Sequence, residues 1–243
     1  MEQDMLAEKL EQEYQLKNLL LAYPNDWFVD KETLDKAKLS IPSLLKFYNS
    51  IGAEDPQPSP IQNIIKETVK DVYTVPLFSE TFCKLLIDEM KNLESFYGFK
   101  PNPDEDKLRQ IPEIVLQECC LDIYNSLFQI IYSVVNPILL SIWNRHVTGG
   151  GIQIANYNLK DKKQGAWHHD ADADISIVVP LNTGEYKGGG TEFLNRGIVK
   201  PIPTGNALIF PSFTHMHRGL PIESGDRYLL VFWLTCKEQK NEI

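Results

Sequence analysis

Two short patches, Trp167-His168-His169-Asp170 and Thr214-His215-Met216-His217, hold four of the chain's five histidines. Imidazole nitrogens and carboxylate oxygens together suit Fe(II), and a histidine one residue away from an aspartate offers both. In a strand, residues i and i+2 face the same way, so His168 and Asp170 can converge while His169 points away. A third imidazole from the second patch would complete a two-histidine, one-carboxylate set with three coordination positions open on one side. Zinc would more often take three histidines, or cysteines, in a closed or nearly closed site. A lone His-x-Asp is a weak signal; joined to a downstream histidine and an arginine on the next strand, it becomes specific. That arginine is Arg227, ten residues past His217. His215 has the same strand parity as His217, so spacing does not choose between them. Arg227 shares a face with Leu229, Val231 and Trp233 by period-two alternation. If that face is a barrel interior, the guanidinium must be paired. The distal carboxylate of a dicarboxylic acid would satisfy it through a forked contact, and an internal salt bridge is the alternative.

These side chains need a scaffold. After Gly149-Gly150-Gly151 the chain reads as β-rich to its end. Short runs at 152–157, 175–181, 192–194, 198–202, 207–210 and 228–234 are separated by turn residues. Strands this short and this frequent indicate a sandwich, jelly roll or small barrel. Upstream, Asp71–Phe78 is strand-like, and Ser79-Glu80 then looks like a helix start. That helix carries Phe82, Leu85, Leu86, Met90 and Leu93 on one stripe and ends near Gly98. Residues 100–107 read as a loop. A second helical pattern places Leu121, Tyr124, Leu127, Phe128, Ile131, Val134 and Val135 three and four residues apart. Pro137 should bend or end it, with Ile138–Trp143 continuing as a buried segment. Both helices read as a buttress against a sheet. Residues 2–21 and 33–50 carry further helical patterns, and Ala53–Pro60, with three prolines, reads as a linker. The expected division is a helical N-terminal flank over 1–60 and a site-bearing domain over 61–243.

The chain has 243 residues, 43% of them hydrophobic, which is enough for a substantial core. Its net charge of -9 argues against a nucleic-acid or anionic-membrane binder, which would show a basic footprint. The most apolar window, 127–143, is interrupted by Gln129, Ser133, Asn136 and Pro137 and falls short of the roughly 20 residues a membrane span needs. The acidic start shows no signal-peptide pattern. The four cysteines form neither a zinc spacing nor a disulfide ladder. A cytoplasmic protein with reduced thiols is the expectation.

Four runs carry a family likeness: Trp167-His-His-Asp170; Ile175-Ser-Ile-Val-Val-Pro-Leu-Asn182; Tyr186-Lys-Gly-Gly-Gly-Thr-Glu-Phe193; and Pro211-Ser-Phe-Thr-His-Met-His-Arg-Gly-Leu-Pro221. Together with the strand at Asp71–Phe78, they resemble the catalytic domain of procollagen lysyl hydroxylases over residues 70–235. Those enzymes are Fe(II)/2-oxoglutarate dioxygenases of the prolyl and lysyl hydroxylase superfamily. The resemblance implies an α+β fold, with a double-stranded β-helix (jelly-roll, cupin-like) core and buttressing helices. It implies His168, Asp170 and His217 as metal ligands, Arg227 as the 2-oxoglutarate anchor, and Tyr157 as a residue lining the co-substrate pocket. His169 and His215 would be supporting or structural. Fe(II) is the implied cofactor, 2-oxoglutarate and O2 the co-substrates, and ascorbate an expected accessory. The reaction would hydroxylate a C–H bond, with a protein or peptide as substrate, while 2-oxoglutarate loses CO2 to give succinate. Aspartate at position 170 favours hydroxylation over halogenation. The alternatives are a prolyl, other-residue or small-molecule hydroxylase of the superfamily, or a non-catalytic metal-binding scaffold. A homodimer is compatible with all of these. One departure stands out: Thr191 and the Ile198 region occupy places where the secretory enzymes carry a cysteine pair. That fits a reducing compartment and weakens the case for collagen as substrate.

Overall fold

The computed structural model describes residues 65–97 and 111–238. The patterns at 2–21 and 33–50, the linker at 53–60 and the loop at 100–107 lie outside the described residues. In chain order the elements are β1 (Lys66–Val69), β2 (Val72–Pro76), α1 (Glu80–Tyr97), β3 (Glu113–Val115), α2 (Leu116–Cys119) and α3 (Leu121–Ile130). A π-helical turn (Ile131–Val135) leads into α4 (Asn136–Trp143), β4 (Arg145–Tyr157) and β5 (Ile175–Pro180). Then come β6 (Lys187–Gly188), β7 (Thr191–Phe193), β8 (Gly197–Val199), β9 (Asn206–Pro211), β10 (His217–Gly219), β11 (Ile222–Ser224) and β12 (Arg227–Glu238).

Side-chain alternation sorts these strands into two layers. Seven form one antiparallel sheet in the order β1-β2-β9-β5-β12-β4-β3. On β12, Leu230, Phe232 and Leu234 face the helices and pack in one core with Phe82, Leu86, Met90, Leu127, Ile131 and Leu139. Burying each such side chain contributes roughly 1.5–3 kcal/mol, so this face fixes the helices outside the sheet. Leu229 and Val231 turn the other way and pack with Tyr157, Tyr186 and Ile222, with Trp233 alongside. Two small sheets, β10-β7-β8 and β11-β6, cover that inner face. Phe193 and Val199 pack there against Val72, Leu208 and Phe210. The result is a jelly roll with helical buttresses, as expected.

The helices follow local chemistry. Ser79 Oγ accepts the Phe82 backbone N–H at 3.0 Å, which caps α1 where the sequence places its start. Pro137 does not end the second helix. Proline lacks an N–H and crowds the carbonyl four residues back. The chain instead widens into a π turn, with the Asn136 N–H bonded to the Ile131 carbonyl, and runs on into α4. Leu121, expected on the apolar stripe, is half exposed, because α3 turns Ile123 and Leu127 inward instead. The triple glycine at 149–151 lies inside β4 rather than ahead of it. At Gly150 (φ +153) a Cβ would sit 2.1 Å from the Trp233 carbonyl oxygen, so only glycine lets β4 and β12 approach there.

Candidate metal centre

Backbone hydrogen bonds bring the two histidine patches together before any side chain is considered. His168 and His217 form an isolated antiparallel bridge, with N–H to carbonyl distances of 3.0 and 2.9 Å. His217 opens β10 rather than ending a strand, and its ring packs between Phe193 and Phe210. Asp170 lies in the loop beyond the bridge, where the Ala173 N–H bonds back to its carbonyl. The i, i+2 expectation thus predicts the convergence correctly, although only His168 has a strand partner. One ligand atom from each of His168, Asp170 and His217 lies within 4.8 Å of the other two. His168 Nε2 is 3.3 Å from Asp170 Oδ1, and His217 Nε2 is 3.7 Å from Oδ2.

The hydrogen bonds fix the protonation pattern. His168 Nδ1 lies 2.8 Å from the Ala166 carbonyl and His217 Nδ1 lies 2.9 Å from the His215 carbonyl. A carbonyl only accepts, so both Nδ1 atoms carry a proton, and Nε2 is the ring nitrogen that each histidine turns toward Asp170. Burial, with His168 adding to it against the pull of Asp170, drives the His217 pKa down to about 4. Burial pushes the Asp170 carboxyl up, but hydrogen bonds from His168 and Ser176 and the two imidazoles outweigh it and leave its pKa low. Two imidazole Nε2 atoms and one carboxylate, gathered together, fit a divalent transition metal such as Fe(II).

A second polar feature lies at the start of β12. Arg227 and Tyr157 are direct cross-strand partners on the β12–β4 ladder, and the guanidinium sits 5.5 Å from the Tyr157 ring and 5.9 Å from the Tyr186 ring. Arg227 is only 4% exposed; it donates to the Gly190 carbonyl at 3.2 Å, while its Nε has no hydrogen-bond partner. Among the described residues no carboxylate pairs with it. An orphaned buried donor beside apolar side chains is what an anionic ligand would satisfy. The two tyrosines pack in one apolar cluster with Leu229, Val231 and Ile222.

The other histidines of the two patches, His215 and His169, lie outside the cluster. His215 is buried, takes a hydrogen bond from Thr214 Oγ1 on Nδ1 and donates from Nε2 to the Lys70 carbonyl, at 3.0 and 3.4 Å. Burial, assisted by Arg196, lowers its pKa, and its own carbonyl orients His217. His169 stacks loosely on the exposed Phe213, with ring centroids 6.2 Å apart. Sequence reasoning passed over Ser176 and Ser212, which are wholly buried behind Asp170. A serine on the inward register of the apolar run Ile175–Pro180 is the signal that could have pointed to the first. Tyr186, within a quoted motif but given no role, has a buried hydroxyl with no hydrogen-bond partner.

Known structures share this arrangement of strands. A non-heme α-ketoglutarate-dependent carbocyclase from nogalamycin biosynthesis superposes with TM-score 0.53 at 11% identity, covering 70% of this chain and 82% of that one. A 2OG-Fe(II) oxygenase family protein from Burkholderia pseudomallei gives 0.50 at 15% identity, covering 71% and 89%. The fold is that of the 2-oxoglutarate-dependent oxygenases. Sequence relatives of this oxygenase-fold chain include the human procollagen-lysine,2-oxoglutarate 5-dioxygenase 2, 28% identical over 182 residues. Another is a procollagen lysyl hydroxylase and glycosyltransferase from Acanthamoeba polyphaga mimivirus, 31% identical over 180 residues. These matches cover 71% and 70% of the chain but only 25% and 20% of the relatives, so the chain spans about a quarter of their length or less. A family model described as an OGFOD2-like domain matches residues 32–144, upstream of both histidine patches. No described helix is long and apolar enough to cross a membrane.

Proposed function

We propose that the chain is an Fe(II)- and 2-oxoglutarate-dependent hydroxylase acting on a protein side chain, with lysine the first residue to test. The observation that carries this reading is the buried Arg227, which has no carboxylate partner among the described residues, in a jelly roll that also gathers His168, Asp170 and His217. A scaffold that held a metal for structure alone would have no use for a buried guanidinium whose Nε has no acceptor among the described residues.

His168, Asp170 and His217 would hold the metal on one side only. Fe(II), together with O2 and 2-oxoglutarate, supplies the oxidising power that places one oxygen in a C–H bond and the other in succinate as CO2 leaves. The carbonyls of Ala166 and His215 keep both imidazoles in the tautomer that offers Nε2. Arg227 would fork onto the distal carboxylate of 2-oxoglutarate, with Tyr157 flanking it. Leu229, Val231 and Ile222, packed with Tyr157 and Tyr186, would keep water away from the co-substrate. The relatives' names support a protein substrate, since those proteins are named for procollagen lysine. We place the protein in a reducing compartment: Cys83, Cys120 and Cys236 form no disulfide, and Thr191 stands where the secretory enzymes carry a cysteine.

The test of substrate class is a peptide library incubated with Fe(II) and 2-oxoglutarate and read by mass spectrometry. A gain of one oxygen on lysine-containing peptides is the expected result. A gain confined to prolyl peptides, or to none while 2-oxoglutarate is still consumed, would reject the lysyl reading.

A further inference from the structure

Behind the Asp170 carboxylate runs a short chain of hydroxyls closed off from solvent. Ser176 Oγ donates to Asp170 Oδ2, and Ser176 Oγ lies 2.7 Å from Ser212 Oγ. Both serines are 0% exposed. They come from adjacent antiparallel strands: Ser176 is on β5, where it pairs with Phe210 and Trp233, and Ser212 directly follows β9. The Ser212 N–H is held by the Asp174 carbonyl at 3.0 Å, which locks the second hydroxyl in place.

The direction of this chain follows from proton counting. A carboxylate serving as a metal ligand offers only acceptors, and Ser176 Oγ donates to Asp170 Oδ2. Ser176 has a single hydroxyl proton, and the carboxylate takes it. Its contact with Ser212 must therefore be made with Ser212 as donor. Each bond in the series Ser212 to Ser176 to Asp170 polarises the next. The series ends on Oδ2, drawing electron density to that oxygen, while Oδ1 lies on the His168 side at 3.3 Å from Nε2. Two hydroxyls buried in an apolar strand pair are costly to desolvate, and alanine or valine would fit the register as well.

We propose that Ser176, backed by Ser212, is a positioning residue that holds Asp170 as a one-oxygen metal ligand. Oδ2 is engaged by the hydroxyl, and Oδ1 is left to the metal. A carboxylate free to swing would chelate through both oxygens and take a coordination position that a bidentate keto-acid and O2 require. This inference rests on the metal reading above and assigns a role to residues outside the ligand set.

The test measures Mn2+ affinity of the full chain by paramagnetic resonance of free Mn2+, and ligand number from the visible spectrum of the Co2+-substituted protein. Ser176→Ala should raise the Mn2+ Kd roughly 10–100-fold and alter the Co2+ spectrum. Ser176→Thr, which keeps the hydroxyl, should restore both, and Ser212→Ala should shift the Kd in the same direction by less. Circular dichroism of each metal-free variant confirms that it is folded. A folded Ser176→Ala with wild-type Kd and spectrum overturns this inference alone, as does a Ser176→Thr as impaired as the alanine variant. Wild-type protein that takes up no Mn2+ overturns both this inference and the metal reading beneath it.

Discussion

A buried guanidinium without a carboxylate partner is expensive to keep, and Arg227 has none among the described residues. Its replacement by methionine, which preserves bulk, should raise the KM for 2-oxoglutarate roughly 10–100-fold, the loss expected for a charge-assisted hydrogen bond. Steady-state kinetics with 2-oxoglutarate varied would read this directly, and an unchanged KM would move the co-substrate elsewhere. His217 makes a second prediction. Its folded pKa, about 4, lies below the ordinary histidine value of 6.5. Between those values the unfolded chain binds a proton that the folded one refuses, so stability rises with pH across that window. The metal-free protein should lose about 3 kcal/mol as pH falls from 6.5 to 4, with Asp170 adding to the loss below that. Urea titrations across that range check the sign. At this scale the histidine patches were legible because their residue types are scarce and their spacing is short. Ser212 was not, because its partner Ser176 lies 36 residues away, and only the β5–β9 pairing joins them.

The β6–β7 segment shows how an element serves the site. Gly188, Gly189 and Gly190 all have positive φ, at +79, +76 and +105. A Cβ on Gly190 would lie 2.7 Å from the Val199 carbonyl oxygen, while the Gly190 carbonyl accepts from Arg227. Gly190→Ala should therefore cost roughly 2–4 kcal/mol and also raise the KM for 2-oxoglutarate. Leu127→Ala, in the helical buttress, should cost a similar 2–5 kcal/mol while leaving that KM unchanged in the folded fraction. Comparing the two variants separates stability from site geometry. Strand parity predicted which β12 residues face inward, since period two is a property of the backbone itself. The π turn before Pro137 escaped prediction because a proline signal marks a disturbed helix without saying how the chain relieves it.

For the whole molecule, the jelly roll joins a candidate metal-binding cluster and a buried cation in one interior and puts the helices on the other side of the main sheet. Ligands that bind only the folded barrel should stabilise it. Mn2+ with 2-oxoglutarate, each at about 100 times its Kd, should add about 2.7 kcal/mol per site, seen as a Tm rise that a chelator reverses. The substrate is less legible than the fold, because selectivity resides in loops such as 158–166, whose sequence carries no periodic signal. The likeness of sequence and fold to 2-oxoglutarate-dependent oxygenases sets the chemistry to look for. The most direct measurement is succinate formed from 2-oxoglutarate under air with added Fe(II), by the wild type and by His168→Ala and Asp170→Ala. Iron-dependent succinate from the wild type, falling to background in both folded variants, is the predicted result; equal turnover in all three, or none in the wild type, would contradict it.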